Sequence, residues 1–294
     1  MTKIETIQTN LDFNPFKFKK DSLKAIDLFA GIGGIRLGFQ EAFGKNIEFV
    51  FSSEIDKYAK QTYYANFGEV PYGDITKIDE KDIPPHDIIL AGFPCQAFSI
   101  AGKRLGFEDT RGTLFFDVAR IATYHKPKLI FLENVKGFLN HDKGNTFKVV
   151  KQTLEDLGYK VYSKVLNAKD FGVPQNRERI YIVAFLDNVD FDFPNNLNKN
   201  VSIHDMFETK IDDKYYYNNK PLFEKIKDDV ANKDSIYQWR RKYVRENKSG
   251  VCPTLTANMG TGGHNVPIIK DNKGIRKLTP KECLNFQGFP RNFK

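Results

Sequence analysis

The chain has 294 residues, 40% apolar and 28% charged, with Lys+Arg 45 against Asp+Glu 37 and a net charge of +8. That length supports a large core in one domain, or one large domain plus a small one, and neither a membrane-spanning run nor a signal peptide stands in the sequence. Three widely spaced cysteines argue against a disulfide framework and a zinc site and for a reducing, cytoplasmic setting, while the basic balance suits a polyanionic partner.

Apolar runs at 25–29, 47–53, 87–93, 128–135 and 179–185 read as buried strands. Between them, apolar spacing predicts helices over 35–43, 57–67, 113–124 and 146–157. Strands apolar at most positions, alternating with helices, predict an α/β fold with a doubly wound, mostly parallel sheet. Asn, Asp and Pro cluster in "DNVDFDFPNNLNKN", which places a boundary near Asn195 and makes residues 1–195 the first domain. Residues 196–271 are Lys- and Tyr-rich without helix–strand alternation, and read as a small irregular second domain. Thr279-Pro280 is a helix start, so 272–294 read as a return to the first domain.

"DLFAGIGGIRLGF" follows the first strand and opens a helix. Gly31, Gly33 and Gly34 allow a tight turn and close approach to a ligand, as a nucleotide at a strand end requires. A strand–helix turn that merely needs glycine would look the same. Asp27 lies just before the glycines, where a carboxylate repels a pyrophosphate and suits a cationic cofactor. Glu54 ends the second strand, where an acid accepts from ribose hydroxyls, and Asp74 is placed to accept from an adenine amino group. The three acids together favour S-adenosylmethionine over NAD. Cys95, in "AGFPCQAFS", stands behind Pro94, which stiffens the loop. Taken alone, it reads more readily as an inert buried thiol, the usual state of a free cysteine.

"DLFAGIGG", "GFPCQAFS", "ENVKG", "QNRERIY" and "RKLTPKECLNFQGFP" occur here in the order of the bacterial cytosine-C5 DNA methyltransferases, and the chain resembles that family strongly over about 24–190 and again over 274–290. The resemblance implies a Rossmann-like S-adenosylmethionine-dependent methyltransferase with a target-recognition domain at 196–271. It implies transfer of a methyl group to C5 of a flipped-out cytosine in a short site of double-stranded DNA, leaving S-adenosylhomocysteine and using no metal. Cys95 is then the nucleophile, because a thiolate added at C6 makes C5 enamine-like. Glu133 is expected to be an acid kept partly neutral by burial so that it can serve cytosine N3, with Asn134 fixing the loop beside it. Arg179 is expected at the cytosine O2, and Arg177 at the nucleophile loop or the DNA backbone. Gln96 and Ser99 are expected to contact DNA. Phe29, Ile75, Pro94 and Leu114 are expected as walls of the adenine site. Close relatives often carry Trp after the acid of the second strand, whereas Ile55 stands here.

In "YQWRRKYVRENKSGVCPTLTANMGTGGHNVPII", Arg240, Arg241 and Arg245 could serve phosphates or guanine edges, and the glycine-rich loop could enter a groove. Cys252 and Cys283 read as structural. The family ordinarily continues past "QGFP" with a GN-containing motif that completes the cofactor site, so a truncated chain is expected here. One half of a split enzyme with a complementary C-terminal polypeptide, a chain that binds cofactor adequately by itself, or a DNA-binding fragment without turnover are the alternatives. A tRNA cytosine methyltransferase fits the long recognition segment less well, and a dehydrogenase fits Asp27 less well. A cognate restriction endonuclease acting on the same site is the expected partner.

Overall fold

The computed structural model describes residues 22–94, 114–197, 199–257, 259–260 and 265–294. The first part of the chain runs β1 (Leu23–Leu28), α1 (Gly34–Phe43), β2 (Ile47–Ser53), α2 (Lys57–Phe67), β3 (Ile88–Ala91), α3 (Leu114–His125), β4 (Leu129–Val135), α4 (Asn145–Asp156), β5 (Lys160–Asn167), β6 (Gln175–Asn176) and β7 (Glu178–Phe185). These include a strand or helix at each position read from apolar spacing, within a few residues at the ends.

One six-stranded sheet, in the order β2-β1-β3-β4-β7-β5, forms the centre. β1 pairs parallel with β2 and β3, and β3 with β4, while β7 runs antiparallel to both β4 and β5. Strands buried on both faces need apolar side chains at nearly every position, and β3 (IILA) is buried at all four. One face packs Ile26, Leu28, Ile89 and Ile130 with Val118 and Ile121 of α3 and Val150 and Leu154 of α4. The other packs Ala25, Leu90 and Val183 against Ile35, Phe39 and Phe43 of α1. The parallel strands therefore end together, at Leu28, Ser53, Ala91 and Val135, and β7 begins at that same edge. β5 escapes a search for continuous apolar runs because it is an edge strand whose residues, apart from the last, Asn167, are exposed or half-buried.

Beyond residue 200 follow α5 (Phe223–Ile226), β8 (Ile236–Trp239), β9 (Val244–Asn247), β10 (Cys252–Pro253), β11 (Pro267–Lys270), β12 (Ile275–Lys277) and α6 (Pro280–Asn285). Four of these strands form an antiparallel sheet, β12-β11-β8-β9. Each spans only three or four residues, too short for a period-two pattern to stand out. β10 pairs in parallel with β6, which ties this part of the chain to the segment entering β7. α6 opens on a capping box. Thr279 accepts from the Glu282 amide, Glu282 accepts from the Thr279 amide, and Pro280 stands in the first turn. Among the described residues no helix is long and apolar enough to cross a membrane.

Candidate active site

The glycine loop turns at the end of β1 through two left-handed glycines, Gly31 (φ 54°) and Gly33 (φ 86°). A Cβ at Gly33 would stand 2.1 Å from the Phe67 ring, so glycine is required there on two counts. Phe29 also sits at positive φ (55°), a conformation that costs a non-glycine residue free energy and tends to mark functional sites. A Cβ at Gly34 would lie 3.3 Å from the Phe289 ring, which puts the end of the chain against the start of α1.

The Glu54 carboxylate holds this turn in place. One oxygen accepts from the Gly31 amide at 2.8 Å, and the other accepts from the Ile55 and Asp56 amides, each at 2.8 Å. Phe29, Glu54, Asp74, Ile75 and Leu114 line one pocket together with Ser53, Ile55 and Gly73. Five of the residues expected around the cofactor thus converge from β1, β2, the turn at Asp74 and the start of α3. Asp74 accepts from the Thr76 hydroxyl and amide, and those bonds hold its carboxyl below the ordinary carboxylate range. An apolar slot with two carboxylates at its rim can take a flat ring bearing hydroxyl and amino donors. A larger polar cleft of about 390 Å³ lies at Lys169, Lys199 and Ser249, away from these acids.

Asp27 is not part of that pocket. It is buried, and the Tyr63 hydroxyl donates to it at 3.2 Å. Burial pushes its carboxyl up to about 8. Arg36 donates to the same hydroxyl at 2.8 Å, pairs with Glu69, and lies against the rings of Phe49 and Phe67. This polar floor beneath the glycine loop was not read from the sequence. The only signal was an arginine on the otherwise apolar face of α1.

The second cluster lies where β3 and β4 end. Glu133 pairs with Arg179 at 2.8 Å, with both side chains mostly buried. A Cβ at Gly92 would stand 3.7 Å from the Glu133 carboxylate, so the strand leading to Pro94 passes directly beside it. Asn134 donates to the Phe93 carbonyl at 2.9 Å, fixing the backbone two residues before Cys95. Cys95, Gln96 and Ser99 themselves lie outside the described residues; Pro94, the last described before them, is exposed. Arg177 precedes β7 and donates to the Leu255 carbonyl at 3.3 Å. Burial, then the charge of Arg179, pulls Arg177 down from its ordinary value. Tyr181, cross-strand partner of Glu133, is raised by burial and then by the Glu133 charge. Tyr181 went unread because an aromatic in a strand run looks like core.

Arg240, Arg241 and Arg245 are exposed on the β8–β9 hairpin, and Arg240 bonds to Asn265 at 2.5 Å. They belong to the hairpin of the second sheet, whereas the Glu133–Arg179 pair belongs to the first sheet. Cys252 and Cys283 are buried free thiols. Burial raises both, Cys283 to about 12, so neither is a thiolate at neutral pH.

Residues 23–294 match the family described as C-5 cytosine-specific DNA methylase. The chain is 51% identical over 282 residues to the type II methyltransferase M.Bsp6I of Bacillus sp. (strain RFL6), covering 92% of this chain and 89% of that protein. It is 44% identical to M.HhaI of Haemophilus parahaemolyticus, covering 92% and 85%. Among solved structures, the Dnmt2 methyltransferase of S. pombe superposes with a TM-score of 0.70 at 19% identity over 92% of this chain and 88% of that one. EhMeth of Entamoeba histolytica does so with a TM-score of 0.65 at 21% identity, over 94% and 88%. This chain belongs to the C-5 cytosine-specific DNA methylase family.

Proposed function

We propose that the protein methylates C5 of a cytosine within a short site of double-stranded DNA, using S-adenosylmethionine, and that it works in the cytoplasm beside a restriction endonuclease acting on the same site. The observation that carries the chemistry is the 2.8 Å pair of Glu133 with Arg179, set directly beside the strand that leads to Pro94 and Cys95. The type II names of the relatives support the pairing with an endonuclease.

The pocket of Phe29, Ile75 and Leu114, rimmed by Glu54 and Asp74, fits the adenosine part of the cofactor. Gly31, Gly33 and Gly34 bring the backbone close, and Pro94 closes the side toward the nucleophile. S-adenosylmethionine, when bound, supplies an electrophilic methyl group. Asp27 supports the turn from beneath. Its carboxyl accepts from the Tyr63 hydroxyl, which supports a role in holding the turn.

The target carbon is stacked inside the duplex, so the nucleotide must swing out to reach the site. The Cys95 thiolate adds to C6, and electron density moves toward C5 and N3. Glu133 holds a proton at N3, which eases that addition. Arg179 orients Glu133 and donates to the cytosine O2. After C5 is substituted, loss of its proton lets the C6–sulfur bond break and restores the thiolate. Residues 196–271 read the site, with Arg240, Arg241 and Arg245 on phosphates or guanine edges, and Gln96 and Ser99 fill contacts near the opened base.

The test is Cys95→Ser. Transfer of a labelled methyl group to duplex DNA is expected to vanish while DNA binding persists. Undiminished transfer, or no covalent adduct with a 5-fluorocytosine duplex in the unmodified protein, rejects the reading.

A further inference from the structure

We infer that Gln175 is a positioning residue that sets DNA selectivity by locking the Thr254–Thr256 loop to the segment, from β6 into β7, that carries Arg177 and Arg179. The inference rests on the proposed role of residues 196–271 in reading DNA.

Gln175 is fully buried, which is unusual for a glutamine and costly unless both ends of the amide are bonded. Both are. Its Nε2 donates to the Phe286 carbonyl at 2.6 Å, and its Oε1 accepts from the Leu255 amide at 3.2 Å. One side chain thus joins positions 80 and 111 residues away. Its neighbours reinforce the grip. The Thr254 hydroxyl donates to the Asn176 carbonyl at 2.6 Å, and Arg177 donates to the Leu255 carbonyl. Leu255 is therefore held at its amide by Gln175 and at its carbonyl by Arg177. The residues just beyond it, Thr256 and Ala257, are exposed. They emerge beside the Asn176–Arg177 segment that leads into β7.

Selectivity follows from rigidity at this joint. A backbone that enters a groove reads bases only if its position relative to the extruded base is fixed. Phosphate contacts by lysine and arginine need no such registration and depend mainly on charge. Loosening Leu255 should leave charge-driven binding intact and degrade discrimination.

The experiment compares wild type with Gln175→Met, which removes both bonds at similar volume, and Gln175→Glu, whose carboxyl, kept protonated by burial, retains an acceptor for the Leu255 amide and a donor for the Phe286 carbonyl. A library of short randomised duplexes is selected on wild type. Each protein is then measured on the enriched duplexes, on the unselected library across a salt series, and on S-adenosylmethionine alone. The expected result for Gln175→Met is a loss of about tenfold or more in the enriched-to-unselected affinity ratio. The salt slope and S-adenosylmethionine affinity should stay within twofold, faster exchange should appear at the Leu255 amide, and Gln175→Glu should be less impaired. A ratio within twofold of wild type in both variants overturns the inference. So does parallel loss of enriched, unselected and S-adenosylmethionine binding in both. These arms measure binding, so an inactive wild type would reject the proposed reaction without deciding the role of Gln175.

Discussion

The six-stranded sheet and the second, four-stranded sheet place their functional side chains by opposite means. In the first, apolar strands and helices fix the backbone, and the residues at the strand ends converge because parallel strands finish on one edge. Glu54 and Glu133 are located this way, and Asp74 joins them from a turn bridged to the end of β2. In the second, strands of three or four residues are mostly buried but each supplies only a few side chains, and polar clasps between distant positions add to the fixing. Arg276 donates to Glu282 through two nitrogens, at 2.7 and 2.8 Å, and to Asp271 at 2.7 Å. Glu282 also accepts from the amides of Glu208 and Thr279. A shape held by packing tolerates loss of a polar contact, whereas one held by a buried clasp does not.

The contrast is sharpest in what loss of one acid should do on each side. Glu133→Gln leaves an acceptor for Arg179 and removes the acid. Methyl transfer is expected to fall about 10²–10⁴-fold in kcat, with DNA and S-adenosylmethionine affinities and thermal stability nearly unchanged. Single-turnover kinetics on a cognate duplex reads this. A loss smaller than about tenfold would place the N3 proton elsewhere, since general acid–base groups ordinarily contribute far more.

Glu282→Ala should do the reverse. It leaves Arg276, almost wholly buried, with its main partner gone. Removing one member of such a pair typically costs about 3–5 kcal/mol. Urea unfolding should show that loss, with amide exchange rising first at β11, β12 and α6. A cost below about 1 kcal/mol, the range of exposed pairs, would mean that packing of Ile268, Ile269 and Phe286 holds the second sheet after all.

The same difference explains what was legible in the sequence. α2 was legible from apolar spacing over 57–67, and its ends are set by Asp56, which accepts from the Tyr58 and Ala59 amides, and by Gly68 at φ 74°. The first sheet announced itself by runs such as IILA, and the strand-end acids followed from the runs. β8 to β12 left no comparable trace, since cross-links such as Gln175 to Phe286 join residues whose spacing carries no period. Asp27 shows the limit within the legible half. Its position at the end of β1 was plain, but the direction of its carboxyl depended on Tyr63, thirty-six residues on.

Asp27 therefore offers the mildest test, a polar group inside the apolar half. Its folded carboxyl sits at about 8, above the ordinary value of 3.8. Between those two pH values the folded protein holds a proton that the unfolded chain has released. Stability must then fall as pH rises through that window, by at most about 1.4 kcal/mol per pH unit, and level off above it. Asp27→Asn keeps an acceptor for the Tyr63 hydroxyl and cannot titrate, so its unfolding free energy should decline less steeply than wild type between pH 5 and 8. Parallel curves would mean that Arg36, acting through Tyr63, keeps the carboxylate ionised. The floor of the glycine loop would then be an ion-pair clasp of the kind that holds the second sheet, and the contrast between the two regions would fail at its most buried acid.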